Sequence, residues 1–219
     1  MGTSLRSLVL CLFAVAALAG RGFGTGPTHL VLDPEATRIR FVLPTTVTDV
    51  RGHARLSRGE IHFDPSEGRT SGEIVVDAAS TRTGIALRDA RMHREVLEVS
   101  TYPEIVFVPE WTNVLTVNAE DARVQVQGRI AIHGSQHPIA VPVRLRREGD
   151  RVHIAAAFEI PYAEWGMKDM KTLFLDTSAR VRIEIDAIAR VRPGERQPDP
   201  NKSDLSPSSH KDNEGAFDG

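Results

Sequence analysis

The residues best suited to chemistry lie between Arg88 and His93, in a charged segment of a chain that otherwise alternates apolar and polar residues. Arg88, Asp89 and His93 combine a cation, a carboxylate and an imidazole, the groups used in general acid–base catalysis. A glycosidase needs two carboxylates at one cleft, and here only Asp89 has the surroundings of a buried acid. No serine lies in a nucleophile elbow and no glycine-rich phosphate loop is present. We therefore predict a structural Arg88–Asp89 pair and no catalytic residue.

Histidines are the remaining candidates, as metal ligands. His133 and His137 have a spacing that places two ligands on one face of a helix. In this chain they flank a Gly-Ser turn between strands, so that argument does not apply. His62 and His153 fall on outward-facing strand positions. The one cysteine, Cys11, precedes the predicted mature chain, which excludes disulfides and thiolate sites. The sequence predicts no metal site and no cofactor.

The N-terminus has the pattern of a secretory signal peptide. Arg6 precedes the uncharged run Leu8–Ala19, which is shorter than the ~20 residues of a membrane span. Ala17-Leu18-Ala19 is a small-x-small cleavage site. We predict a signal peptide over 1–19, a linker over 20–27, and a periplasmic or secreted location.

The C-terminal residues 193–219 are rich in Pro, Ser, Asp and Asn. This composition predicts a disordered tail, since it offers little apolar surface to bury. Removing both ends leaves 28–192, which is the size of one domain. The formal net charge is −2, from 27 Lys and Arg against 29 Asp and Glu. Such a balance gives no reason to expect nucleic acid as a partner.

Period-two alternation runs through most of the domain and predicts about eight β-strands. In the strand that starts at Arg123, the apolar residues Val124, Val126, Ile130 and Ile132 alternate with polar or small ones. One apolar and one charged face is typical of antiparallel sheets with one side in water. Short hairpin links without helical crossovers favour a closed eight-stranded barrel, because closure removes exposed edges.

Such a barrel is either filled by its own side chains or just wide enough for one small ligand. The inward residues are mostly Val and Ile, with small residues at Ala156 and Gly128, and few large rings. The pattern alone leaves a ligand cavity and a packed core equally open.

The charged segment has helical spacing. Thr83 is placed to cap a helix, and Ile85, Met92 and Val96 follow one stripe along it. Opposite charges four residues apart support the helix, namely Asp89/His93, Arg91/Glu95 and Arg94/Glu98. We predict one α-helix near 83–98, with its charges on the outer face, lying over an open end of the barrel or against its outer wall.

The same stretch resembles the signature of the YceI-like family of secreted, polyisoprenoid-binding barrels. The matching residues are Thr83-Gly84, Arg88-Asp89, His93, Tyr102-Pro103 and Phe107. Similar stretches extend the resemblance over about Leu32 to Ile188, nearly the whole domain. One departure is near Pro44, where the family's first long strand often carries a His.

The resemblance implies an extended, lipocalin-like, eight-stranded antiparallel barrel whose apolar channel holds an isoprenoid chain, such as a quinone tail or a polyprenyl lipid. We expect the channel to be lined by Phe41, Phe63, Val76, Ile85, Met92, Val96, Phe107, Val126, Ile130, Phe158, Trp165 and Phe174. A structural signature is expected at Arg88, Asp89, His93 and Tyr102.

Three functions follow as hypotheses. The first is a lipid-binding protein for transport, storage or stress protection, which contacts a membrane during ligand exchange and can form a homodimer. The second is an enzyme acting on a lipid-like substrate through Arg88, Asp89 and His93. The third is a filled barrel that serves as a protein-interaction module.

Overall fold

The computed structural model describes residues 27–117, 121–169 and 178–193. The described chain is mainly β, with one short helical segment. The strands are β1 (Thr28–Leu32), β2 (Arg38–Leu43), β3 (Val50–Asp64), β4 (Arg69–Arg82), β5 (Glu104–Val117), β6 (Asp121–Ile132), β7 (Ser135–Glu148), β8 (Arg151–Ile160) and β9 (Val181–Pro193). Between β4 and β5 lie the helix α1 (Ala86–Arg91) and a π-helical turn (Met92–Val96). The predicted signal peptide and the rest of the tail lie outside the described residues.

The nine strands form one antiparallel sheet that closes on itself. From β3 to β9 each strand pairs with the next along the chain, and β9 pairs back to β1 and β2. β1 and β2 both pair with β3 as well, so they occupy one position in the wall. The result is a closed barrel of eight positions, which confirms the predicted fold class.

A short turn separates β1 from β2. The carboxylate of Asp33 accepts hydrogen bonds from the backbone N–H groups of Glu35 and Ala36, at 3.0 and 3.3 Å. The hydroxyl of Thr37 donates to the carbonyl of Asp33 at 2.7 Å. Aspartate favours this kind of local turn because its side chain mimics a backbone acceptor. The first wall position is therefore built from two short strands rather than one long one.

The apolar side chains that point inward form two buried clusters instead of one continuous core. One lies in the wall made by β1, β2, β3 and β9 and contains Leu32, Ile39, Ala54, Leu56, Ala187 and Ala189. The other lies under the helical segment and contains Val96, Ile132, Ile160, Tyr162 and Met167. A filled domain of this size normally has one contiguous cluster, so the separation indicates a hollow interior.

Gly52 shows how the wall makes room for a large ring. It is the cross-strand partner of Phe41, and a Cβ at Gly52 would lie 2.3 Å from the end of the Phe41 ring. It would also lie 2.4 Å from the carbonyl oxygen of Arg82. Only a glycine leaves the space in which the Phe41 ring lies across the inner wall.

The helical segment differs from its prediction in two respects. The predicted cap at Thr83 is wrong: α1 begins at Ala86, and its N-cap residue Ile85 makes no side-chain capping bond. Thr83 is instead bonded to the carboxylate of Asp89. The second half is π-helical, with the N–H of Leu97 donating to the carbonyl of Met92 at 2.9 Å. A π-turn shifts the side chains that follow it relative to regular α-helical spacing.

Candidate ligand cavity

The barrel encloses a cavity of about 860 Å³. Alternate residues of every strand line it, as on β6, where Ala122, Val124, Val126, Ile130 and Ile132 all point inward. The volume is within the range of roughly 300–1,000 Å³ that is usual for small-molecule sites. Of the two interiors that the sequence left open, the structure has the cavity.

The cavity runs from one end of the barrel to the other. At the end formed by the turns 64–69 and 148–151, here called the hairpin end, its lining includes Phe63, Ser66 and Arg147. At the opposite end, here called the helix end, it includes Thr45 and Met92. A guest as long as the barrel can therefore lie along its axis.

Most of the residues predicted to line a channel border this cavity. They are Phe41, Phe63, Val76, Ile85, Met92, Val96, Phe107, Val126, Ile130 and Phe158. Trp165 does not border it; its ring stacks on His137 with centroids 4.2 Å apart and packs against the cluster under the helical segment. Phe174 lies outside the described residues. Period two located the strand residues because alternation alone decides which face is inward.

The chemistry of the wall is apolar. Among the described residues that line the cavity, none carries a carboxylate or an imidazole. Its hydroxyls are largely engaged: Thr70 and Thr112 bond each other at 2.7 Å, and Thr81 donates to the carbonyl of Ala78 at 2.8 Å. The described part of the wall therefore lacks the acids and bases of a hydrolytic site and offers a guest mainly methyl and methylene groups.

Positive charge occurs only near the ends of the described lining. Arg88 and Arg91 lie at the helix end, and Arg147 lies at the hairpin end. The prediction that the charges of the segment lie on its outer face is therefore wrong for Arg88 and Arg91. Leu97, Tyr162 and Met167 also border the cavity, although the sequence did not predict them. Tyr162 and Met167 lie in the turn after β8, where period-two alternation has ended and gives no signal.

Asp89 anchors the helical segment to the end of β4. It is 7% exposed, and its carboxylate accepts the backbone N–H of Thr83 at 2.8 Å as well as the Thr83 hydroxyl. Arg88 completes the network by donating to the hydroxyl and the carbonyl of Thr83, at 2.7 and 3.1 Å. Burial acts to raise the pKa of Asp89, but the Thr83 bonds and the nearby guanidinium of Arg82 lower it below its ordinary value.

His93 is bound to the same strand end. Its Nε2 lies 2.9 Å from the hydroxyl and 2.8 Å from the carbonyl of Thr81. Neither Asp89 nor His93 borders the cavity, whereas Arg88 does. These three residues do not converge on the place where a substrate would lie, and their contacts are those of an anchor.

Glu95 joins the helical segment to the chain after β8. Lys168 approaches its carboxylate at 2.8 Å, Arg94 at 3.0 Å and Arg91 at 3.2 Å. Hydrogen bonds from these three cations lower the pKa of Glu95 to about 2. The predicted Arg91–Glu95 pair is present, while Arg94 pairs with its neighbour Glu95 rather than with Glu98, which lies 3.3 Å from His133.

Tyr102 packs over the turn between β6 and β7. Its ring lies 5.0 Å from the ring of His133, and a Cβ on Gly134 would lie 2.7 Å from it. Gly134 also has a φ of +73°, which glycine adopts without strain. The Tyr-Pro and Gly-containing stretches are thus in contact, which links two distant parts of the sequence at the helix end.

Among the described residues, no helix has both the length and the apolar character needed to cross a bilayer.

Comparison with known proteins gives the fold and the family. The profile of the YceI-like domain matches residues 30–189. The structure is similar to BcnA of Burkholderia cenocepacia, with a TM-score of 0.61 and 18% identity over 72% of this chain and 98% of that one. It is similar to a polyisoprenoid binding domain from Saccharophagus degradans implicated in plant cell wall breakdown, with a TM-score of 0.59 and 20% identity over 74% of this chain and 98% of the other.

A third solved structure, the YCEI protein of Campylobacter jejuni, aligns with a TM-score of 0.52 and 17% identity over 66% of this chain and 86% of that one. No curated protein matches the sequence. At these identities the solved structures show a shared barrel, and the profile match, which spans most of the chain, decides the family: the chain belongs to the YceI-like domain family.

Proposed function

We propose that this protein binds an isoprenoid chain, such as a quinone tail or a polyprenyl lipid, along the barrel axis, and carries or stores it in the periplasm or outside the cell. The observation that carries the proposal is the cavity of about 860 Å³ whose described lining contains no carboxylate and no imidazole. Such a wall suits a long apolar guest and offers no machinery for breaking one.

Burial of apolar surface supplies the binding energy. Each buried CH₂ contributes about 0.8 kcal/mol, so several isoprene units bind tightly without a specific polar contact. The inner wall is already folded around the space, which limits the ordering cost at the moment of binding. The branched methyl groups of an isoprenoid match a wall made largely of Val and Ile side chains.

The polyisoprenoid binding domain of Saccharophagus degradans, which has the same barrel, supports this class of ligand. The protein-interaction alternative with a filled core loses its basis, because the interior is hollow. The enzyme alternative loses its candidate site, because Asp89 and His93 do not border the cavity.

Exchange of such a ligand requires contact with a membrane, and the helix end has a suitable surface. Leu87 is 83% exposed and Ile85 is 53% exposed, and both border the cavity. Arg88 and Arg91 beside them provide positive charge for anionic headgroups. A homodimer remains a prediction, which sedimentation of the mature protein checks.

The test is mass spectrometry of the natively expressed protein under non-denaturing conditions, followed by solvent extraction. We expect a co-purified lipid with an isoprenoid tail, and we expect the delipidated protein to take up a quinone with a long tail. The same headgroup with no tail is the matched control and should bind far more weakly. Protein that is empty when isolated and refuses long-tailed quinones would refute the proposal.

A further inference from the structure

Three potential metal ligands meet on the outer face of the barrel. His62 is the direct cross-strand partner of His29, because β1 pairs with β3 in that register. Glu60 lies two residues before His62 on β3, so its side chain is on the same face. The strand pairing alone therefore places two imidazoles and one carboxylate side by side.

The three side chains are close enough to reach one ion. One donor atom from each residue can be chosen so that all three lie within 4.8 Å of one another. The two imidazole rings are stacked, with centroids 4.2 Å apart and an angle of 14° between their planes. Nε2 of His29 is buried, makes no hydrogen bond, and lies 3.5 Å from Oε2 of Glu60. A buried nitrogen without a hydrogen bond is costly unless something else binds it.

We propose that His29, Glu60 and His62 bind a divalent transition ion of the Zn²⁺ class. Imidazole nitrogens and a carboxylate oxygen are ligands that Zn²⁺ accepts, and three protein ligands leave one position for water. Two donors on one tetrahedral zinc lie about 3.3 Å apart, so the three donor atoms must draw closer together. The two imidazole rings must also turn from their stacked arrangement, so that both lone pairs point at the ion. The site takes a free aqueous cation and is independent of the ligand in the cavity.

The surroundings set the charge of the site. Arg192 of β9 is the partner of His29 on its other side, so one cation flanks the ligands. Glu60 supplies the negative charge within the set, which makes it as important as the imidazoles. Glu73, the partner of Glu60 on β4, is bound to Arg58 at 2.9 Å and is engaged elsewhere.

The position gives the ion a structural effect. His29 belongs to the five-residue strand β1, whereas Glu60 and His62 belong to the fifteen-residue strand β3. An ion bound to both strands holds β1 in the wall near the hairpin end. Zn²⁺ is thus expected to stabilise the folded barrel, because it binds the folded state with strands paired and not the separated strands.

The test is titration of the metal-free mature protein with Zn²⁺ by isothermal calorimetry, with Mg²⁺ as the hard-cation comparison. We expect one Zn²⁺ per chain and no Mg²⁺ binding. His62→Gln and Glu60→Gln should each weaken Zn²⁺ binding by more than about 100-fold, since changes outside the ligand set already cost 10–100-fold. Zn²⁺ should raise the melting temperature of the wild type and leave that of both variants unchanged.

The matched control is His153→Gln. His153 also faces outward and also pairs with a carboxylate, Glu148, at 3.0 Å, but it has no third ligand among the described residues. This variant should bind Zn²⁺ like the wild type. The proposal is overturned if the wild type binds no Zn²⁺, or if His62→Gln and Glu60→Gln bind it as well as His153→Gln does. Either result would show that His29, Glu60 and His62 do not form a metal site.

Discussion

The interior of the barrel and the segment that covers one of its ends are built on opposite principles. The inner wall is apolar, and its side chains leave a cavity between two separate buried clusters. In the covering segment, residues 83–102, the charged side chains are held by specific partners, as at Asp89 and Glu95. The interior is shaped to accept a guest, and the covering segment is fixed so that the end of the cavity keeps its form.

The difference predicts different responses to substitution. A change in the interior should alter ligand binding with little effect on stability, because the space around the new side chain is not packed. A change in the covering segment should lower stability where it removes a satisfied polar contact. It should slow ligand exchange where it removes an exposed apolar side chain. Four experiments test this contrast, from the largest expected effect to the smallest.

Asp89→Ala should have the largest effect on folding. It removes a buried carboxylate and leaves the N–H and hydroxyl of Thr83 without their acceptor. Loss of such a network should lower the free energy of unfolding by about 2–4 kcal/mol, measured by urea denaturation.

The control is Asp64→Ala, which removes a carboxylate that accepts the N–H of Ser66 in a turn at the hairpin end. That bond is exposed, and its loss should cost about 1 kcal/mol or less. Equal losses in the two variants would show that the covering segment is held no more firmly than an ordinary hairpin.

Ala156→Phe should separate binding from stability. Ala156 borders the cavity in the middle of β8, so the new ring occupies space that a guest would use. Displacing two or more methylene groups should weaken binding of a long-tailed quinone by about tenfold or more. The free energy of unfolding of the empty protein should change little.

The matched control is Ala157→Phe, one residue along on the outer face, where the side chain is exposed. It adds the same ring to the same strand and should leave quinone binding unchanged. If both variants bind equally well, the guest does not lie along this part of the barrel.

Leu87→Ser should slow ligand exchange. Leu87 is 83% exposed beside the cavity, and an exposed leucine in the covering segment is suited to insertion into a bilayer. Transfer of a quinone from vesicles should slow by about three- to tenfold, while the equilibrium affinity should fall less than in Ala156→Phe, because Leu87 borders only the end of the cavity. Leu115→Ser, at a 60% exposed position on β5, should leave the rate unchanged. Equal slowing by both would place the contact elsewhere.

Glu95→Gln should have the smallest effect, which is a change in melting temperature that depends on pH. The pKa of Glu95 is lowered from 4.5 to about 2 by Lys168, Arg94 and Arg91. Its stabilising contribution is therefore complete above about pH 4.5 and is lost as the pH falls toward 2. The melting temperature of Glu95→Gln should be slightly below that of the wild type at pH 6, and the two should converge near pH 2. A difference that persists at pH 2 would mean that packing, not charge, is lost.

The same contrast explains how much the sequence could predict. Strand content and the inward residues followed from period-two alternation, because each strand residue's facing is set by its immediate neighbours. Closure followed from the short hairpin links, since a closed barrel has no exposed edges. Thr83 is a counterexample. Its position suggested a helix cap, but Asp89, six residues away, binds it instead. That partner is chosen by the folded arrangement of β4 and the helical segment, which no local pattern contains.

Spacing also failed where the backbone departs from regular geometry. The pair Arg94/Glu98 assumes α-helical turns, and the π-helical turn at Met92–Val96 changes which side chains are neighbours. Spacing also could not predict the proposed ligand set of His29, Glu60 and His62. Two of its members are 33 positions apart, and only the register between β1 and β3 makes them adjacent.

The division of the first wall position into β1 and β2 also determines when during synthesis the barrel can enclose a ligand. Thr28, at the start of β1, pairs with Pro193 at the end of β9, and β2 pairs with the same last strand. The wall is therefore completed by the first and last strands of the described residues. During translation the partial sheet has an open side, so it cannot enclose a guest. Loading becomes possible only when β9 has docked, which makes occupancy a property of the finished chain.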